Sequence, residues 1–200
     1  MRNLLVATRN PGKVLELADM LRDLDVAWLS LADLGLEWDV PETGQTFEEN
    51  AVLKAQTYAT TTGLPTLADD SGLEVDALGG RPGVYTARYG GPGLTPIERY
   101  TLLLEQLRDV PWAQRTARFR CVVALADPAT LLGAAAGVCE GYIALAPAGQ
   151  QGFGYDPIFH LPDLGQTMAQ LEPAVKHRLS HRGRAVAAIA PLLRRVMSDE

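Results

Sequence analysis

Cysteine is nearly absent: Cys121 and Cys139 are the only two in 200 residues, each inside an apolar stretch. Two buried thiols are the expectation, which sets aside a disulfide-stapled scaffold and a cysteine-built metal site. No apolar run approaches the roughly 18 residues that a membrane span needs. The apolar stretch at residues 4–7 is too short for a signal-peptide core, so the cytosol is the expected location. Positive charge is in deficit, with 18 Lys+Arg against 24 Asp+Glu and a formal charge of -6. That balance argues against a general nucleic-acid binder, whose affinity rests on a cationic surface. A small anionic ligand is still open, since it needs only a local cluster of cations or a metal. Among the charged residues lysine is scarcest. Lys13, Lys54 and Lys176 stand against fifteen arginines, and a lysine that survives such a bias can be kept for its compact ammonium, which suits phosphate. There is no internal repeat, low-complexity tract or obvious linker.

What is present is an ordinary globular composition, 47% hydrophobic and 21% charged, on a chain long enough to bury a core as a single domain over residues 1–200. Residues 4–7 read as a buried strand. Asn10 and Pro11 then open a helix as N-cap and first helical residue, with its last turn near Leu24. A strand is expected over 26–31 and a loop over 33–45. The capping box Thr46-Phe47-Glu48-Glu49 starts a helix over about 47–60, ended by Gly63 and Pro65. Thr66-Leu67-Ala68 reads as a brief strand, Asp69-Asp70-Ser71-Gly72 follows it, and residues 73–75 form a further strand. Six glycines and two prolines make 78–93 irregular. A second capping box, Thr95-Pro96-Ile97-Glu98, opens a helix whose apolar positions are Ile97, Tyr100, Leu104 and Leu107. Alternation at Ala117, Phe119, Cys121, Val123 and Leu125 marks a half-exposed strand. Residues 131–146 read as one partner strand or two, broken near Gly137. A helix over about 181–197 closes the chain, with its apolar face at Ala185, Val186, Ile189 and Leu193. Early alternation of strands and helices with a β-rich middle defines an α/β fold with a mixed sheet.

Four segments could carry chemistry. Thr8-Arg9-Asn10-Pro11-Gly12-Lys13 joins a strand to a helix N-terminus, where backbone N–H groups and the helix dipole attract anions. A capped turn is the bland alternative, and the G-x-x-x-x-G-K-[ST] spacing of a P-loop is missing. Asp69 and Asp70 repel each other, and magnesium, an oxygen-liganded ion that keeps water positions for phosphates, would compensate. Strand alternation lets only one of the two face a given cleft. Asp70 is the choice, with Glu42, Glu48 and Glu49 as candidate second ligands. A solvated Asx-turn is the alternative. The basic run at residues 176–184 opens a helix, where positive charge opposes the dipole unless an anion sits there. Gly152-Phe153-Gly154-Tyr155-Asp156-Pro157 is either a core-filling turn or a base-stacking platform with an acceptor at Asp156.

Taken together, the segments Ala7-Thr8-Arg9-Asn10-Pro11-Gly12-Lys13, Thr46-Phe47-Glu48-Glu49-Asn50-Ala51, Ala68-Asp69-Asp70-Ser71-Gly72-Leu73, 79–88, Gly152-Phe153-Gly154-Tyr155-Asp156-Pro157 and Ser180-His181-Arg182-Gly183 resemble the inosine triphosphate pyrophosphatase family, the dITP/XTP diphosphatases. The resemblance runs over nearly the whole chain in order and spacing. It implies an elongated, two-lobed α/β fold about a long mixed sheet, with flanking helices and a central substrate cleft, and a homodimer in the cytoplasm. Implied too is hydrolysis of dITP, ITP and XTP to the nucleoside monophosphate and pyrophosphate, with no membrane or nucleic-acid partner. Thr8, Arg9, Asn10, Pro11, Gly12 and Lys13 would hold the triphosphate, with Lys54 supporting it. Asp70 would be the catalytic carboxylate and, with Glu42, a ligand of Mg2+. Ser71 would touch substrate, and Phe153, Gly154, Tyr155, Asp156, Lys176, His181 and Arg182 would surround the base and sugar. Many members carry Gly at the position of Arg9, where the arginine either adds a phosphate contact or points outward.

The implied chemistry is physically coherent. Asp70, directly or through the metal, would orient and deprotonate the attacking water, while Lys13 and Mg2+ stabilise the departing pyrophosphate. A donor such as Arg182 facing O6 would reject adenine by roughly 10⁴-fold. Two rivals stand beside this reading: a nucleotide-binding regulatory module without hydrolysis, and a pyrophosphatase for modified pyrimidine nucleotides.

Overall fold

The computed structural model describes residues 2–24 and 26–198, and its helices begin where the capping chemistry places them. Helix α1, Pro11–Met20, starts behind Asn10, whose side chain accepts from the N–H groups of Gly12 and Lys13. Helix α2, Phe47–Thr62, and helix α3, Pro96–Gln106, each carry a complete capping box, Thr46 with Glu49 and Thr95 with Glu98. Gly63 ends α2 in the left-handed region at φ 70°, where a side chain would be strained. Helix α1 stops at Met20, short of the expected end near Leu24, because residues 21–23 already form a turn.

Among the described residues seven strands make one sheet: β1 Arg2–Val6, β2 Val26–Ser30, β3 Thr66–Val75, β4 Thr116–Ala126, β5 Leu131–Ile143, β6 Phe159–Leu161 and β7 Gln166–Thr167. Their order is β2-β1-β3-β4-β5-β6-β7. The sheet is mixed: β1 runs parallel to β2 and β3, while β5, β6 and β7 pair antiparallel. The chain divides into two compact units, one of residues 1–70, 121–137 and 181–200, the other of 71–120 and 138–180. Helix α4, Pro173–Leu179, lies in the second and α5, His181–Ser198, in the first. Among the described residues no helix is long and apolar enough to cross a membrane.

Within the first unit, period-2 alternation sorts side chains onto two faces. Leu4, Val6 and Leu67 pack with Leu17 and Leu21 of the α1 region and with Ala185, Val186, Ile189 and Leu193 of α5. Leu5, Ala7 and Ala68 pack on Ala51, Ala55, Tyr58 and Ala59 of α2. Strands covered on both faces read as near-continuous apolar runs, as β1 does. The second unit has its own core of Leu73, Val75, Leu103, Phe119, Ile143, Tyr155 and Phe159, among others. Leu103 and Leu107 anchor α3 there, whereas Ile97, expected in its apolar face, is 63% exposed.

Two expected interruptions are absent. Strand β3 runs unbroken through Asp69-Asp70-Ser71-Gly72. Turn-forming residues do not bend it, because both aspartates find buried partners in the extended conformation. Strand β5 likewise runs straight through Gly137. A Cβ at that position would lie 2.1 Å from the carbonyl oxygen of His181 and 2.6 Å from the backbone nitrogen of Ala185. Gly137 is therefore the place where the first turn of α5 lies directly on the strand. Gly137→Ala is expected to lower stability by about 1–3 kcal/mol through overpacking against backbone, read as a lower urea midpoint at unchanged m-value.

Candidate active site

The same alternation decides the fate of the two adjacent acids. Leu67 and Asp69 share one face of β3, and Ala68 and Asp70 share the other. Asp69 thus points toward α1 and α5, and Asp70 toward α2. Each helix layer supplies cations of its own, so the repulsion between neighbouring carboxylates is met twice, separately.

On the first face, Asp69 Oδ2 lies 2.9 Å from Lys13 Nζ and 3.2 Å from Arg182 Nη2. Arg182 Nη1 donates to Glu16 Oε2 at 2.6 Å. Lysine and glutamate sit three residues apart on α1, which puts both on one side of that helix. Burial opposes ionisation of Asp69, but the charges of Lys13, Arg182 and Lys54 outweigh it and hold its carboxyl well below the usual carboxylate range. Cys121, its Sγ 3.8 Å from Asp69 Oδ2, is pushed up to about 12 by burial and by that anion. It stays a thiol and is no nucleophile. Asp69 and Glu16 thus face Lys13 and Arg182 in this interior cluster.

On the second face the balance is different. Lys54 Nζ lies 3.1 Å from Asp70 Oδ1 and 2.9 Å from Glu42 Oε1. Asn50 Nδ2 donates to Asp70 Oδ2 at 3.2 Å. Burial raises the Asp70 carboxyl above its ordinary value, and Glu42 adds to this; Lys54 and Lys13 only partly offset it. Lys54 keeps its proton: burial disfavours the charge, but Asp70, Asp69 and Glu42 more than restore it. Two carboxylates here share one ammonium. Glu49, by contrast, is engaged in its capping box through the Gln45 and Thr46 N–H groups, whereas Glu42 shares Lys54 with Asp70. Among the described residues no cluster of three or more His, Cys, Asp or Glu could hold a metal.

The segment at 8–13 is more self-satisfied than expected. Asn10 Oδ1 occupies the N–H groups of Gly12 and Lys13, Thr8 Oγ1 accepts from Asn10, and Pro11 has no N–H to offer. An anion there would have to displace the Asn10 side chain. Arg9 turns to the loop over 36–39, with Nε on Asp39 at 2.7 Å and its guanidinium on the Leu36 and Trp38 carbonyls. Lys13 is drawn to Asp69 as described.

In the second unit, Lys176 Nζ lies 2.5 Å from Asp156 Oδ2, which also accepts from the Phe153 N–H at 2.8 Å. The ammonium sits 5.0 Å from the centre of the Phe153 ring. A Cβ on Gly152 would fall 2.1 Å from Asp156 Oδ2, so this turn closes only around glycine. Tyr155 is a core residue whose hydroxyl donates to the Thr86 carbonyl, not a stacking surface. Gly154 takes φ 61° beside it, and Ser71 is half-buried.

The basic run also divides differently. Lys176, His177 and Arg178 occupy the last turn of α4, where the dipole favours cations, and the buried pair His181 and Arg182 opens α5. Arg182 was expected to face a base O6. It is instead 1% exposed, its guanidinium engaged by Glu16 and Asp69. Sequence reading passed over Glu16 and Asn50. Asn50 had a signal: asparagine is a poor residue for a helix interior, and it stands one turn before Lys54 on the same helical face.

An α/β scaffold that buries one aspartate in an ion cluster and offers its neighbour to a second acid and a lysine has the makings of a phosphate-handling hydrolase. A family model described as the Ham1 family matches residues 4–192, and the chain belongs to that family. It is 48% identical over 189 residues to a dITP/XTP pyrophosphatase of Geobacillus kaustophilus, covering 94% of this chain and 93% of that one. The dITP/XTP pyrophosphatase of Bacillus subtilis is 44% identical over 193 residues, 96% of this chain and 98% of its own. Among solved structures, a HAM1 protein from Coxiella burnetii superposes with a TM-score of 0.87 at 41% identity, covering 98% of this chain and all of that one. The Staphylococcus aureus Ham1 protein gives 0.86 at 37% identity with the same coverage.

The two aspartates are expected to differ sharply in stability effect. Asp69→Ala leaves Lys13 and Arg182 buried with one anion between them and should lose about 3–5 kcal/mol. A carboxyl whose folded pKa is raised takes up a proton on folding, so its contribution falls as pH rises through that window and is unfavourable at neutrality. Asp70→Ala should accordingly cost less than about 1 kcal/mol at neutral pH, since Lys54 retains Glu42. Urea unfolding of both variants checks the contrast.

Proposed function

We propose that this chain hydrolyses the non-standard purine nucleoside triphosphates dITP, ITP and XTP to the nucleoside monophosphate and pyrophosphate. The observation that carries the reading is the unequal treatment of adjacent acids, one neutralised in the interior and one left beside Glu42 with a single lysine between them. Membership of the Ham1 family and near full-length likeness to dITP/XTP pyrophosphatases support the substrate class. The family resemblance also supports a homodimer working in the cytoplasm.

The residues fit a divalent ion. Asp70 and Glu42 already direct one oxygen each at the same cation, the Lys54 ammonium, and Mg2+ is commonly held by one or two carboxylates together with water and substrate phosphates. Asp70 and Glu42 would hold Mg2+, which when bound supplies charge neutralisation at phosphate oxygens and acidifies water. Asp70 would take the proton of the attacking water as the bond to the departing pyrophosphate breaks. Lys54 holds the two acids together and adds positive charge toward the phosphates. Lys13, with Thr8, Asn10 and Gly12 at the start of α1, belongs to the same phosphate-binding reading. Arg182 acts from below, keeping Asp69 ionised and in place. The family resemblance assigns Phe153, Asp156 and Lys176 to recognition of the base; within the second unit they form a buried Asp156–Lys176 ion pair beside the Phe153 ring.

The assay is pyrophosphate release from dITP, XTP, dUTP, dTTP and dGTP, with and without Mg2+. Release of pyrophosphate from dITP and XTP, dependent on Mg2+, is the expected result. Binding without turnover would favour a regulatory module, and preference for dUTP a pyrimidine enzyme. Asp70→Asn should lower turnover by about 10²–10⁴-fold while nucleotide binding survives, and near-normal hydrolysis by that variant would refute the assignment of the base.

A further inference from the structure

We infer that Asn50, with Gly44 as its partner, is the positioning residue that sets the geometry of the Asp70–Glu42 pair, an inference that rests on the metal-assisted reading above. Asn50 is fully buried, in the first turns of α2. Its Nδ2 donates to Asp70 Oδ2 at 3.2 Å, and its Oδ1 accepts from the Gly44 N–H at 2.8 Å. The amide can face only one way. Reversed, it would set N–H against N–H at Gly44 and oxygen against oxygen at Asp70.

These two bonds separate the oxygens of Asp70. Asn50 takes Oδ2, and Lys54, one helical turn further on the same face, takes Oδ1. Oδ1 is thereby the oxygen turned to the ammonium that also meets Glu42. The other half of the Asn50 amide fixes Gly44, two residues beyond Glu42, so one rigid side chain ties both acid-bearing segments to α2. Position 44 has no room for anything larger than glycine: a Cβ would lie 2.7 Å from Asn50 Oδ1 and 2.7 Å from Glu49 Cβ. Orienting partners of this kind commonly change metal affinity or activity by about 10–100-fold when lost.

Two variants test this, Asn50→Leu, similar in shape without polar atoms, and Gly44→Ala, which leaves Asp70 and Glu42 themselves unchanged. Thermal unfolding identifies which variants fold, and Gly44→Ala decides the matter if Asn50→Leu does not. Mn2+ binding to the nucleotide-free protein is followed by electron paramagnetic resonance, and pyrophosphate release from dITP is measured against Mg2+ concentration. The expected result is a Mn2+ Kd and a half-saturating Mg2+ concentration each raised by about tenfold or more. The KM for dITP at saturating Mg2+ should move less than about threefold. A residue with a merely structural role would lower the unfolding temperature and leave the Mn2+ Kd unchanged. Folded variants with wild-type Mn2+ affinity overturn the inference alone. Absence of any divalent-ion requirement or Mn2+ binding in the wild-type protein overturns the reading beneath it as well.

Discussion

A carboxylate removed from water and clamped between a lysine and an arginine is the constraint on which this site depends. Asp69 could not remain ionised in the interior without Lys13 and Arg182, and those cations could not be buried without Asp69 and Glu16. These ion pairs tie β3 to α1 and α5. Strand geometry then does the rest. The residue after Asp69 must point to the opposite face, where Asp70 meets α2 and a different set of partners. Two chemically identical neighbours acquire opposite electrostatic fates from a two-residue period.

The three lysines carry the same logic. Their side chains are 13%, 12% and 5% exposed at Lys13, Lys54 and Lys176, and each holds a carboxylate: Asp69, the Asp70–Glu42 pair, and Asp156. The arginine-rich surface charge of the chain makes this selective use visible in composition alone. A compact ammonium can sit between two acid oxygens or over an aromatic face without the planar fork that guanidinium imposes. Arg182 is used where a fork helps, with Nη1 on Glu16 and Nη2 on Asp69.

Local chemistry was readable wherever a residue's partner lies within a few positions. The capping boxes at Thr46 and Thr95, the alternation through residues 116–122 and the apolar stripe of α5 all depend on neighbours in sequence, and the structure has them as expected; residues 123–126, expected to continue the half-exposed alternation, are buried on both faces. Reading failed where a distant partner overrides a local preference. Asp69-Asp70-Ser71-Gly72 has turn chemistry, yet Lys13, Arg182, Lys54 and Asn50 reward an extended backbone. Gly137 looked like a break and is a close approach of α5. The ion pairs of Arg182 were not legible in its basic run, because Asp69 and Glu16 lie 113 and 166 residues away. Of the acids near Asp70, sequence left Glu42, Glu48 and Glu49 open; the shared Lys54 singles out Glu42.

The account stands or falls on the divergence of the two adjacent carboxyls, which carbon-13 titration of aspartate side chains in the metal-free protein measures directly. Asp70 should titrate above the ordinary value of 3.8, while Asp69 shows no inflection at or above it. Two neighbours titrating together near 3.8, or Asp69 titrating above Asp70, would contradict the claim that opposite faces of β3 give them different work.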